Sequence, residues 1–260
     1  MKIKEIVDAL EQFAPLPLQD GFDNAGLQIG LTDAEVTGAL LCLDVTEAVL
    51  DEAIGQGYNL VISHHPLIFK GYKSITGKDY VERCILKAIK NGIVIYSAHT
   101  NLDNAQGGVN YKIAEKIGLK NVRILEPKDV GVQAGAGAIG ELEKEEDEKK
   151  FLERIKQTFE VKCLRHNRWN QRLIKTVALC GGAGAFLITS AIRQHADVFI
   201  TGEIKYHDYF NYDSEILLAE IGHYESEQYT QEIFYQLIRD LFPNLAVKQT
   251  KVNTNPINYL

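Results

Sequence analysis

Residues 36–66, VTGALLCLDVTEAVLDEAIGQGYNLVISHHP, decide the fold. Val36 to Val45 is a near-continuous apolar run, as expected of a strand buried on both faces. Thr46 to Gly57 reads as a helix closed by glycine. Leu60 to Ser63 is the next short strand, and it ends on His64, His65 and Pro66. Pro66 biases His65 toward extended geometry, so no helix starts there and both rings can turn into one cavity. Imidazole is the commonest transition-metal ligand and a frequent acid–base group. A His-His pair at the mouth of a buried strand therefore points to chemistry, with a chance loop pair as the bland alternative.

Working outward, Val81 to Lys90 predicts a helix, Ile93 to Ala98 a third apolar strand, and Val109 to Ile117 a further helix. Upstream, Ile3, Ile6, Val7, Leu10 and Phe13 share a helical face. Strand and helix alternate, the pattern of a largely parallel sheet covered on both faces. The second half repeats it: strand Lys175–Cys180, helix Phe186–Gln194, strands Val198–Thr201 and Ile216–Ile221, then one long helix from about Tyr224 to Leu241.

Moving Leu41–Cys42 by 138 positions lands on Leu179–Cys180, and the same shift carries Ile62 to Ile200 and Ser63-His64-His65 to Thr201-Gly202-Glu203. A shift of 124 places His99 on His223 and Asp103 on Glu227. These matches suggest an internal duplication. The expected fold class is α/β: two related αβ lobes with mixed sheets, residues 1–125 and 126–260, facing each other across a metal-binding cleft. The charged run Glu141–Lys150 between them reads as a solvated helix face near the border.

Composition narrows the functional classes. A formal charge of −7 argues against a general nucleic-acid binder, which usually shows a basic face. It leaves room for a small anionic substrate, because a local cation outweighs distant acids. The N-terminus reads as an amphipathic helix rather than a signal peptide, and no apolar run is long enough to span a bilayer. Cys42, Cys84, Cys163 and Cys180 lack Cys-x-x-Cys spacing and read as reduced residues of a cytoplasmic protein.

Two more clusters follow apolar strands as the His-His pair does: Ala98-His99-Thr-Asn-Leu-Asp103 and Gly222-His223-Tyr-Glu-Ser-Glu227. His223 and Glu227 are four apart at a helix start and project from one face. An inward carboxylate there is expensive unless compensated, and a metal ion is the natural compensation. Singly, His223 is as easily a helix cap and Asp103 a turn residue. Together, His64, His65, Asp103, His223 and Glu227 offer three nitrogens and two carboxylates, a set that suits zinc, iron or manganese. Five ligands are awkward for one tetrahedral ion but fit two ions sharing a carboxylate.

Weaker signals remain. Gly135-Ala-Gly-Ala-Ile-Gly140 spells a dinucleotide fingerprint without the strand and helix that one requires, so a tightly approached strand is the better reading. The turn holding Gly181, Gly182 and Gly184 links a strand to a helix; its amides would hold a phosphate, or the glycines serve close packing. Glu203, His207 and Asp208 would orient ligands or merely start a helix. Tyr206, Tyr209, Phe210 and Tyr212 read as core or subunit interface ahead of base stacking.

Phe22-Asp-Asn-Ala-Gly-Leu-Gln-Ile-Gly30, Ser63-His-His-Pro66, Ala98–Asp103 and Gly222–Glu227 together resemble the GTP cyclohydrolase I type 2 homologs, also called NIF-three-like proteins. The resemblance runs from near residue 1 to about residue 250. It implies a dinuclear site of two divalent ions (zinc, iron or manganese) on His64, His65, Asp103, His223 and Glu227, with Glu227 bridging. His99 matches a site histidine outside the ligand set, a proton carrier. The resemblance also implies a toroidal homohexamer built from dimers. Longer members carry an extra middle domain that this chain is too short to hold. Phe22 stands where many members have Trp. The implied activity is hydrolysis of a small nucleotide-like substrate, with an activated water attacking the imidazole ring carbon of guanine and Gly181, Gly182 and Gly184 holding phosphate. Phosphoester hydrolysis at the same two metals and a non-enzymatic metal-binding adaptor are the alternatives.

Overall fold

In a computed structural model describing residues 1–128 and 131–260, the apolar runs become strands and the amphipathic stretches become helices. In chain order the elements are α1 (Ile3–Phe13), β1 (Gly26–Ile29), β2 (Ala39–Cys42), α2 (Glu47–Gly55), β3 (Leu60–Ser63), α3 (Tyr80–Lys90), β4 (Val94–Ser97), α4 (Thr100–Asn104) and α5 (Val109–Ile117). There follow β5 (Lys120–Pro127), β6 (Gly135–Asp147), α6 (Glu148–Thr158), β7 (Arg165–His166), β8 (Leu173–Cys180), α7 (Ile188–Arg193) and β9 (Val198–Thr201). The chain closes with α8 (Asp208–Asn211), β10 (Leu217–Glu220), α9 (His223–Glu227), α10 (Thr230–Leu241) and β11 (Val247–Gln249). This is a mixed α/β protein with two sheets, as the sequence implied.

Contacts divide the chain into two compact units: Met1–Leu102 with Thr230–Pro256, and Asp103–Tyr229 with Ile257–Leu260. The linear border read at residue 125 does not anticipate that α10 and β11 return to the first unit. Their return has a plain cause: β11 pairs in parallel with β2, Val247 opposite Ala39, and adds an edge to the first sheet.

In the first unit the sheet order is β1-β4-β3-β2-β11. β2, β3 and β4 are parallel and buried along their whole length, which explains their unbroken apolar sequence. Leu40, Cys42, Val61 and Ile95 on one face form a core with Val49, Leu50 and Ala53 of α2 and Cys84, Ile85 and Ala88 of α3. Each valine, leucine or isoleucine among them contributes about 1.5–3 kcal/mol when fully buried. Side-chain caps start the crossover helices: Thr46 accepts from the Val49 amide and Asp79 from the Glu82 amide.

The second unit has the order β5-β6-β8-β9-β10-β7, with β8, β9 and β10 parallel. Leu41 faces Ile62 in the first sheet and Leu179 faces Ile200 in the second, so the 138-residue shift preserves the ladder register. An antiparallel edge strand lies beside the third parallel strand in each unit, β1 beside β4 and β7 beside β10.

Two sequence expectations change and a third holds. The charged run Glu141–Lys150 is the end of β6 and the start of α6, inside the second unit. The single long helix Tyr224–Leu241 is two helices, interrupted where the Gln228 and Tyr229 side chains donate to the carbonyls of Phe159 and Thr158. Gly135–Gly140 lies in β6 as the packing reading expected: a Cβ on Gly137 would sit 2.8 Å from the Leu179 carbonyl oxygen.

Candidate metal centre

In both units the singled-out residues stand just past the carboxyl ends of parallel strands, where open α/β sheets bind ligands. Ser63 and Ser97 are paired in register, so His64 and His65 beyond β3 adjoin Ala98 and His99 beyond β4. The ladder continues past the strands: the His64 amide donates to the Cys42 carbonyl, His65 to Leu43, and Ala98 to Ser63. That continuation sets both histidines against the end of β2, where Asp44 lies.

Three imidazoles gather here. Ring donor atoms of His64, His65 and His99 all lie within 4.8 Å of one another. Each ring is held through Nδ1 by an oxygen that can only accept. His64 Nδ1 donates to the Ala98 carbonyl at 2.9 Å, His65 to Asp44 Oδ1 at 2.7 Å, and His99 to Asp23 Oδ1 at 2.7 Å. Nδ1 of each ring therefore carries a proton, and Nε2 is left as the candidate ligand atom. Asp44 is steadied by the Thr254 hydroxyl, and Asp23 by the amide and hydroxyl of Thr100. Burial pushes the Asp23 carboxyl up, but hydrogen bonds from His99 and Thr100 outweigh it and hold the group at about 2. Asp44 is also lowered, its burial overcome by His65 and Thr254.

In the second unit His223 opens α9 and Glu227 closes it, one helical turn apart. His223 Nε2 lies 3.1 Å from Glu227 Oε2, while its Nδ1 donates to Glu203 Oε1 at 2.7 Å. A carboxylate oxygen of Asp103 lies within 4.8 Å of one from Glu227, which is itself buried. Asn110 ties this end together, donating to the Asp103 carbonyl at 3.0 Å and accepting from the Gly181 amide at 3.0 Å.

The glycine turn has a task other than cradling phosphate. The amides of Gly181, Gly182 and Gly184 donate to Asn110, Ser226 and Thr201 side chains respectively. All three are thus engaged within the protein. The absence of side chains matters instead for Glu227: a Cβ on Gly182, whose φ is +58°, would lie 2.4 Å from Glu227 Oε1. Of the three residues weighed as orienting groups, Glu203 reaches His223, whereas His207 packs on Tyr206 and Phe210. Tyr206 and Phe210 are exposed.

Reading the sequence alone passes over Asp44, Asp23 and Asn110. Asp44 carried a usable signal, since it follows an apolar strand as His65 does, and Asp23 lies inside the Phe22–Gly30 motif.

Residues 1–256 match the family described as Duf34/NIF3 (NGG1p interacting factor 3). The chain belongs to that family. A GTP cyclohydrolase 1 type 2 homolog of Clostridium perfringens is 37% identical over 228 residues, covering 87% of each chain. One from Lactococcus lactis is 32% identical over 263 residues and 98% of each chain. The crystal structure of a Staphylococcus aureus hypothetical protein superposes with a TM-score of 0.92 at 31% identity, over 100% of this chain and 99% of that one. For this family member, the residues present suit a metal: imidazoles oriented through Nδ1 hydrogen bonds so that Nε2 is the candidate ligand atom, with a buried carboxylate one helical turn from His223. Among the described residues, no helix is long and apolar enough to cross a membrane.

Proposed function

We propose that the chain is a metal-dependent hydrolase of a small, nucleotide-like anionic substrate, with two divalent ions held by His64, His65, Asp103, His223 and Glu227. The observation that carries this reading is the common anchoring of four imidazoles, each with Nδ1 donating to a carbonyl or carboxylate oxygen. Proteins prepare neutral histidines for metal in this way, and the mixed nitrogen and oxygen donors suit zinc, iron or manganese. Bound there, the ions would supply Lewis acidity, lowering the pKa of water and offsetting developing negative charge.

The protein's own part is positional. His99 presents Nε2 as the atom that takes up a proton, and Asp23 holds the ring and stabilises the positive charge that results. Glu227, packed on the glycine turn, has little freedom to swing away. The GTP cyclohydrolase name of the relatives makes guanosine triphosphate the first substrate to try. The ring-shaped homohexamer and the cytoplasmic setting implied by the resemblance belong to the same proposal.

The test is turnover by zinc-, iron(II)- or manganese-loaded protein on a nucleotide panel, reading formate and phosphate separately. Formate from guanosine triphosphate supports the cyclohydrolase reading. Phosphate redirects it to phosphoester hydrolysis at the same ions. Full metal content without turnover on any nucleotide contradicts a hydrolase and leaves a metal-binding scaffold.

A further inference from the structure

Two loops of the first unit are tied into one frame around His99. The Asp23 amide donates to the Asp20 carbonyl, closing a turn with Gly21 and Phe22 at its tip, and the Asp23 carboxylate holds His99. From the same loop, the Asn24 side chain donates to the Ile68 carbonyl at 2.6 Å. The Ile68 amide in turn donates to Gln28 Oε1 at 3.2 Å. Both backbone groups of Ile68 are thus fixed, and with them the starting point of the next residue, Phe69.

Phe69 is placed without being buried. Its ring meets His99 in a T-shaped contact, centroids 5.5 Å apart, yet 45% of the residue remains exposed. Phe22 beside Asp23 is 67% exposed. A large aromatic that serves the core goes inside, where burial stabilises it. One pinned by backbone hydrogen bonds beside a cluster of functional imidazoles, with much of its surface still accessible, has the properties of a ligand contact. Aromatic faces bind planar heteroaromatic rings by stacking and do so without hydrogen-bond readout.

We propose that Phe69, held by the Asn24–Ile68–Gln28 clamp against His99, is a stacking platform for a planar heteroaromatic ring, and so selects substrates that carry a base. The inference rests on the nucleotide-like substrate of the hydrolase reading and names the residue that recognises the base.

The experiment uses metal-loaded full-length protein and two probes, guanosine 5′-monophosphate and ribose 5-phosphate, with affinities measured by calorimetry. The probes share the phosphate and sugar and differ in the ring. The wild type is expected to prefer the guanosine probe. Phe69→Leu should reduce that preference by about tenfold, within the range of base–aromatic stacking, and leave ribose 5-phosphate binding unchanged. Phe69→Trp should keep the preference. No preference in the wild type, or one that survives Phe69→Leu, overturns the platform. So does a change of assembly size in Phe69→Leu with the preference intact, which would make Phe69 a subunit contact. Metal content measured on the same samples separates the two readings: full metal with no ring preference removes the platform alone, whereas no bound metal removes the hydrolase.

Discussion

The ends of β3 and β9 occupy equivalent places in the two units, yet one carries Ser63-His64-His65 and the other Thr201-Gly202-Glu203. Inside the sheets the correspondence holds residue by residue, since Cys42 faces Ser63 as Cys180 faces Thr201. Beyond the last strand residue the roles exchange. His65 is a candidate ligand whose ring Asp44 holds, whereas its counterpart Glu203 is the carboxylate that holds a candidate ligand, His223. The counterpart of Asp44 under the same shift is Gly182, the residue against which Glu227 packs. Burial on both faces leaves a strand little choice of residue, while the positions just past it answer only to the site.

This contrast can be broken at its anchors, where the largest effects are expected. The Asp44 side chain is 33% exposed and braced by Thr254, while Glu203 is 59% exposed. Loss of such an outer partner typically lowers metal affinity by about 10–100-fold. Asp44→Ala should fall at the upper end of that range and Glu203→Ala at the lower, measured by competition with a chromophoric chelator. Equal losses, or a larger one at Glu203, would remove the distinction between a half-buried and an exposed anchor.

A smaller effect tests the glycine side of the exchange. Gly182→Ala combines a contact of 2.4 Å to Glu227 Oε1 with a φ of +58°. It should destabilise the protein by about 2 kcal/mol and lower its melting temperature by roughly 4–8 °C. Gly55→Ala, at a helix end with open space around it, should be neutral or slightly stabilising. A silent Gly182→Ala would mean that Glu227 moves freely away from the turn.

The smallest effect is confined to acid and to the first unit. Glu82 is buried and accepts the amides of Thr76 and Lys78. Burial pushes its carboxyl up, but these bonds and those from the Lys78 and Thr76 side chains outweigh it and bring the group from 4.5 to about 2. Because the folded value is the lower one, its stabilisation is full above about pH 4.5 and fades as pH falls toward 2. Chemical denaturation at pH 5 and pH 3 should show the gap between wild type and Glu82→Gln narrowing in acid. A gap that widens would reverse the sign of the argument.

Much of this arrangement was legible in the sequence because it is written in local patterns. The apolar runs at Ala39–Cys42, Leu60–Ser63 and Val198–Thr201 are buried parallel strands, and His64 and His65 follow the second of them directly. The 138-residue shift also survives as strand register. What escaped depends on partners far apart in the chain. Thr254 braces Asp44 across 210 positions, and Asn24 clamps Ile68 across 44. β11 joins β2 although its short Val-Lys-Gln sequence carries no strand period. The charged end of β6 misled for a related reason: residues 143–145 are exposed, so their polarity reports solvent rather than element type.

The central claim is that histidines and carboxylates from both units serve one kind of chemistry, metal binding. Elemental analysis of natively purified protein beside His65→Ala and Glu227→Ala tests it most directly. The account predicts about two first-row metal ions per chain, with metal lost in both variants while each keeps the wild-type fold by circular dichroism. A wild-type chain that carries no metal, and takes up none from zinc, iron or manganese, would contradict it.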